Sequence, residues 1–170
     1  MDSAQKKFGK IYDKYVNQIF RFIFLKTSSQ EVAEDLTSEV FLKAFEKFRE
    51  DPKIIKNIRA FLYQIARNKV IDFYRQREKE KSLSVDDIKG LSDGNNLEKT
   101  IHLNSDLERI MTALSSINQD YQDVVMMRYI DGLSIREISN ILGRSEGAIR
   151  VALSRALDSL RKRIGEIEEV

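Results

Sequence analysis

The chain has no cysteine, one proline, one histidine and only seven glycines in 170 residues. Without cysteine there is no disulfide, no thiolate metal site and no thiol nucleophile. A lone histidine, His102, excludes a multi-histidine metal centre and reads as a solvated linker residue. One proline and few glycines leave little to interrupt helices, so helix is expected throughout. No apolar run approaches the ~18 residues of a membrane span. The opening residues, MDSAQKKFGK, carry charge with no apolar segment of signal-peptide type behind it. A soluble cytoplasmic protein with no membrane insertion is therefore expected. There is no glycine-rich phosphate loop, no nucleophile elbow and no His/Asp/Glu set at metal-ligand spacing. The Asp86-Asp87 pair reads as a solvated turn in a polar stretch. No catalytic residue, no metal and no cofactor are expected, and an enzyme is the least favoured reading.

What is present is apolar periodicity. With 42% apolar residues the chain can bury a core, and its length allows one large or two small domains. Residues 8–25 place Phe8, Ile11, Tyr12, Tyr15, Ile19, Phe22 and Ile23 on one helical face. Ser28 and Glu31 have capping-box spacing. A helix from Gln30 to Phe48 follows, with Val32, Ala33, Leu36, Val40, Phe41, Ala44, Phe45 and Phe48 inside. Its other side carries Asp35, Ser38, Glu39 and Lys43, which the residues alone read as a solvated face. Asp51-Pro52 is a stop and turn. A third helix, Asn57 to about Glu80, is expected to bury Ile58, Phe61, Leu62, Ile65, Ala66 and Phe73. Tyr63, Arg67, Ile71 and Tyr74 form a second stripe, with Asn68 and Arg75 beside it. Rings alternating with guanidinium groups suit single-stranded nucleic acid, where rings stack on bases and arginines neutralise phosphate. Equally, the two tyrosines can simply cover a neighbouring helix.

Residues 81–105 lose periodicity and gather Gly, Asn, Ser and Asp, as a flexible linker does. Helix returns at Asp106, with Leu107, Ile110, Met111 and Leu114, and again from Gln119 to Tyr129. The stretch from Gly132 to Leu160 then holds two amphipathic patterns around a tight turn. Ser134 with Glu137 makes a capping box before Ile135, Ile138, Ile141 and Leu142. Gly143 sits where a helix that turns sharply needs positive φ. Ser145 caps the next helix, whose buried stripe is Ile149, Ala152, Leu153, Ala156, Leu157 and Leu160. Small Ser139 and Ala152 permit a close crossing, so the pair reads as a helix-turn-helix. The outward face of its second helix carries Ala148, Val151, Ser154, Arg155 and Asp158, with Arg150 at the border, a surface suited to the DNA major groove. The charge lies elsewhere. Residues 1–80 hold 17 Lys+Arg against 12 Asp+Glu, whereas residues 106–170 hold 9 against 11. A C-terminal domain of that balance binds DNA weakly alone and needs another anchor.

These segments, in this order, resemble the sigma-70 superfamily, in particular the two-domain extracytoplasmic-function (ECF) sigma factors. Residues 8–48, ending in DLTSEVFLKAFEKF, are similar to its first conserved region, and IRAFLYQIARNKVIDFYRQR (58–77) to the segment that engages the minus-ten element. Residues 106–163, with SIREISNILGRSEGAIRVALSRALDSLRKR, are similar to the minus-35 reader. The resemblance implies an all-α chain: a domain over 1–80, a linker over 81–105 and a four-helix domain over 106–170. It implies docking on core RNA polymerase through Asp35, Ser38, Glu39 and Lys43. It implies minus-ten contacts from Lys56 in the loop 49–57, which accepts a flipped base, and from Arg67, Asn68, Tyr74 and Arg75. It implies minus-35 contacts from Arg128, Ile135, Arg136, Arg150, Val151, Ser154 and Arg155. Promoter DNA, core polymerase and an anti-sigma factor are the implied partners. The chain departs from the family in having Ser38 where Gln is usual, and Ile117-Asn118 where many members have Leu-Pro. Asn118 can cap the following helix instead. Two other readings stand beside this one: a regulator that uses its helix-turn-helix without polymerase, and a helical protein-binding module that does not touch DNA.

Overall fold

A computed structural model describes residues 2–83 and 105–168. All regular structure among them is helical, and the chain divides into two compact units. Asp86, Asp87 and His102 lie outside the described residues.

The first unit is three long helices in mutual contact: α1 (Ser3–Thr27), α2 (Gln30–Glu50) and α3 (Ile58–Leu83). Their 3–4-residue apolar repeats meet in a core where Ile19, Phe22, Ile23, Val40 and Leu62 are fully buried. Each such side chain contributes about 1.5–3 kcal/mol by leaving water. At one end Phe8 nests among Phe41, Phe45 and Phe48, with ring centroids 5.1–6.4 Å apart. Phe22 meets Tyr63 edge to face at 5.4 Å. Tyr63 is fully buried, so it does not belong to an exposed aromatic stripe on α3. The buried arc of α3 is wide because this helix packs against both α1 and α2, and the second stripe falls partly inside it.

The α1–α2 corner also differs from the sequence expectation. Ser28 is not the cap of α2. It ends α1 in the left-handed conformation at φ 57°, ψ 22°, with its N–H donating to the Phe24 carbonyl at 2.8 Å. The cap is Ser29, whose hydroxyl accepts from the Val32 N–H at 3.3 Å. After α2, the Asp51 carboxylate accepts from the Lys53 N–H at 2.9 Å and organises the turn. Asn57 then caps α3 by accepting from the Ala60 N–H at 3.0 Å. Helix α3 runs on to Leu83, three residues into the stretch expected as linker.

The second unit contains α4 (Ser105–Ser116), α5 (Gln119–Val125), α6 (Ile135–Leu142) and α7 (Glu146–Glu168). Asn118 caps α5, its side chain accepting from the Asp120 N–H at 2.8 Å, so the turn stands without proline. The expected helix to Tyr129 is not α-helical throughout. It widens into a π turn over Met126–Ile130, closed by Asp131 N–H to Met126 carbonyl at 3.0 Å. This turn buries Met126 and Met127 and leaves Arg128, Tyr129 and Ile130 exposed. Helix α7 packs against α4, α5 and α6, and Ile149, Ala152, Leu153 and Ala156 form its buried stripe.

Candidate nucleic-acid interface

The helix-turn-helix is built by local polar signals. At the start of α6 the Ser134 hydroxyl accepts from the Glu137 N–H at 3.0 Å, and the Glu137 carboxylate accepts from the Ser134 N–H at 3.2 Å. Two orphan donors are thereby satisfied reciprocally. Gly143 ends α6 at φ 65°, ψ 34°, a conformation that costs an L residue about 1–2 kcal/mol. Ser145 then caps α7 by accepting from the Ala148 N–H at 3.1 Å. Ser139 does more than leave room for the crossing. Its hydroxyl donates to the Arg144 carbonyl across the turn. Arg144 in turn pairs with Asp120 at 2.8 Å, tying the turn to the start of α5.

The outward face of α7 is as expected from its periodicity. Ala148, Arg150, Val151, Ser154, Arg155 and Asp158 are all exposed, Val151 by 48%. A convex helix surface of two guanidinium groups among small side chains can enter a major groove without a bulky obstruction. Arg150 lies 3.6 Å from Glu146. That pair is exposed and weak in water, so the guanidinium is readily exchanged to another acceptor. At the start of α6 Arg136 is exposed and Ile135 half-buried. Arg128 projects from the π turn, and its Nη1 donates to the Leu133 carbonyl at 3.0 Å. It thus braces the loop entering α6 while keeping four other N–H donors.

In the first unit, Asp35, Ser38, Glu39 and Lys43 are all exposed along one side of α2. On α3, Asn68 and Arg75 are exposed at a seven-residue spacing, about 10.5 Å along one helix face. Arg67 is half-buried, and Lys56 is exposed in the turn before α3. In that turn Ile54 stands out, 69% exposed. Tyr74 is half-buried, and its hydroxyl donates to the Lys26 carbonyl at the end of α1. Burial pushes the Tyr74 phenol above its ordinary value, with the nearby Arg77 guanidinium opposing. The periodicity of α3 alone does not reveal this anchoring role. Nor does it reveal Lys69, half-buried beside Asn68, which reaches across to Glu39 on α2 at 3.2 Å. No cluster of three or more His, Asp or Glu side chains able to hold a metal occurs among the described residues.

Two family descriptions match the chain in sequence order: Sigma-70 region 2 over residues 11–80, and Sigma-70 region 4 over residues 107–160. The chain belongs to the sigma-70 family, in its ECF branch. This sigma factor is 30% identical over 160 residues to the ECF RNA polymerase sigma factor BldN of Streptomyces coelicolor, a match covering 91% of this chain and 59% of that protein. It is 29% identical over 153 residues to the ECF RNA polymerase sigma factor SigM of Bacillus subtilis, covering 89% of this chain and 91% of that one. Among solved structures it is similar to the sigma factor RpoE in complex with the anti-sigma factor NepR from Bartonella quintana. There the TM-score is 0.69 at 24% identity, over 94% of this chain and 98% of that one. The structure of CnrH in complex with the cytosolic domain of CnrY gives a TM-score of 0.70 at 20% identity, over 95% and 90%. These two likenesses concern the fold. In this sigma factor α6 and most of α7 lie within the region 4 match, and α2 and most of α3 within the region 2 match.

Proposed function

We propose that this chain gives promoter choice to core RNA polymerase and thereby promotes initiation of transcription. The observation that carries the reading is the pairing of two different surfaces in one polypeptide. One is a capped helix-turn-helix with Arg150, Val151, Ser154 and Arg155 outward. The other is a three-helix unit with Asn68 and Arg75 aligned on α3.

The minus-35 duplex is met by α7 through Arg150, Val151, Ser154 and Arg155, with Arg136 and Ile135 at the start of α6 and Arg128 beside them. Arginine can read guanine edges or grip phosphate, and small residues let the helix approach. The minus-ten strand, once open, passes Lys56, Arg67, Asn68 and Arg75. Tyr74 holds the far half of α3 against α1, which fixes Arg75, and leaves part of its ring for a base. Asp35, Ser38, Glu39 and Lys43 dock on polymerase. Their mixed charges suit a polar protein surface more than a phosphate backbone. Each DNA contact set is small, so joining both in one complex raises their effective concentration. Melting is assisted because an unstacked base becomes available only in the open strand.

An anti-sigma factor is the proposed regulatory partner; RpoE of Bartonella quintana, similar in fold, is solved in complex with the anti-sigma factor NepR. The proposed place of action is the cytoplasm, with the polymerase. No helix among the described residues is long and apolar enough to cross a membrane. The test is gel filtration with core polymerase, followed by binding to a forked promoter fragment. Co-elution, and tight DNA binding only in the complex, is expected. Equally tight binding of duplex promoter by the chain alone would favour a self-sufficient regulator instead.

A further inference from the structure

Lys69 and Glu39 join the two surfaces of the first unit that the proposed function uses. Glu39 stands with Asp35, Ser38 and Lys43 on the exposed side of α2. Lys69 follows Asn68 directly on α3. Their charged ends are 3.2 Å apart, with the lysine side chain 29% exposed and the glutamate 52%. Lysine carries a compact charge on a flexible four-carbon stem, so its ammonium can change partner without any movement of the helix. A bridge this open to water is weakly held and yields to a better acceptor.

We infer that Lys69 is an additional contact to the backbone of the minus-ten strand, neutralised by Glu39 in the free protein and released when α2 docks on polymerase. The inference rests on the reading of α2 and α3 given above. Docking offers Glu39 a cation on the polymerase surface. Lys69 then loses its partner at the position next to Asn68, where the strand's phosphates pass. The free protein thus holds back one unit of DNA affinity until polymerase is bound. This fits a chain that should not occupy DNA by itself.

The test uses the full chain and a short fluorescein-labelled single-stranded oligodeoxynucleotide carrying a minus-ten sequence, read by anisotropy over a salt series. Replacing Glu39 by glutamine mimics release. One added phosphate contact raises affinity by about five- to tenfold at about 50 mM salt and steepens the log–log salt slope by about 0.7. E39Q is expected to show both changes. K69M alone should show no gain over the unaltered chain, because it removes the cation and leaves Glu39 uncompensated. The double variant, in which the pair is again neutral, should bind like the unaltered chain. E46Q removes the same charge two turns away on α2 and controls for net charge; its effect should be the same with or without Lys69. Circular dichroism checks that every variant keeps its helix content. No gain in E39Q, including no measurable binding, overturns the inference, and so does a gain that survives in the double variant. The unaltered chain with core polymerase on a forked promoter fragment is run in parallel. Failure there defeats the broader reading, whereas success there with no Lys69-dependent gain defeats only the inference.

Discussion

Two helices of this chain end in the same left-handed turn, one on glycine and one on serine, and this gives a paired test of opposite sign. Gly143 closes α6 at φ 65°, and Ser28 closes α1 at φ 57°. A Cβ built at Gly143 meets nothing within 4 Å. Replacing Gly143 with serine therefore costs no clash, and the penalty is the backbone conformation alone, about 1–2 kcal/mol. The loss of glycine's freedom in the unfolded chain returns about 0.4–1 kcal/mol. The net expectation is a destabilisation of about 1 kcal/mol for Gly143→Ser and a stabilisation of similar size for Ser28→Gly. For a unit of 60–100 residues that is a midpoint shift of about 4–8 °C in each direction. Far-UV circular dichroism in urea gives the free energies, and hydrogen exchange assigns the change to α6–α7 or to α1–α2. Gly143→Asn should be milder than Gly143→Ser, because asparagine tolerates this region. Two shifts of the same sign, or a neutral Gly143→Ser, would refute the reasoning.

Three further outcomes are expected. Arg150→Ala should weaken minus-35 binding by the polymerase complex by about 1–3 kcal/mol if the guanidinium reads a base, and a gel-shift series with no loss would reject that role. Asn68→Ala should impair strand opening more than polymerase binding, and permanganate footprinting that shows normal melting would count against it. Tyr74 gives a pH dependence. Its folded pKa is raised above the ordinary 10.0, so the stability it contributes is fully present below that value and is lost as pH rises through the folded pKa. Urea midpoints taken at rising alkaline pH should fall less steeply for Tyr74→Phe than for the unaltered chain.

Much of the fold was legible because its signals are local. The Ser134–Glu137 box, Gly143, Ser145 and Asn118 each act within a few residues, and their roles follow from spacing. The exposed face of α7 likewise follows from its 3.6-residue period. What was hidden depends on partners distant in sequence or on subtle backbone shifts. Tyr63 falls inside because α3 packs on two helices, which no single-helix pattern declares. The cap of α2 falls on Ser29 because its neighbour, Ser28, takes the left-handed turn that ends α1. The π turn at Met126–Ile130 follows from one residue of extra width, for which side-chain type gives no mark. The candidate site was readable as residue types on faces. Its ties, Glu39 to Lys69, Arg144 to Asp120 and Tyr74 to Lys26, join groups 24 to 48 residues apart, and only the folded chain brings them together.

The most direct test of the central claim is run-off transcription by purified core polymerase on a library of promoter fragments, with and without this chain, followed by mapping of start sites. The account predicts new, discrete start sites that appear only with the chain and share two spaced sequence elements upstream. The same unselective transcript pattern in both reactions would contradict it.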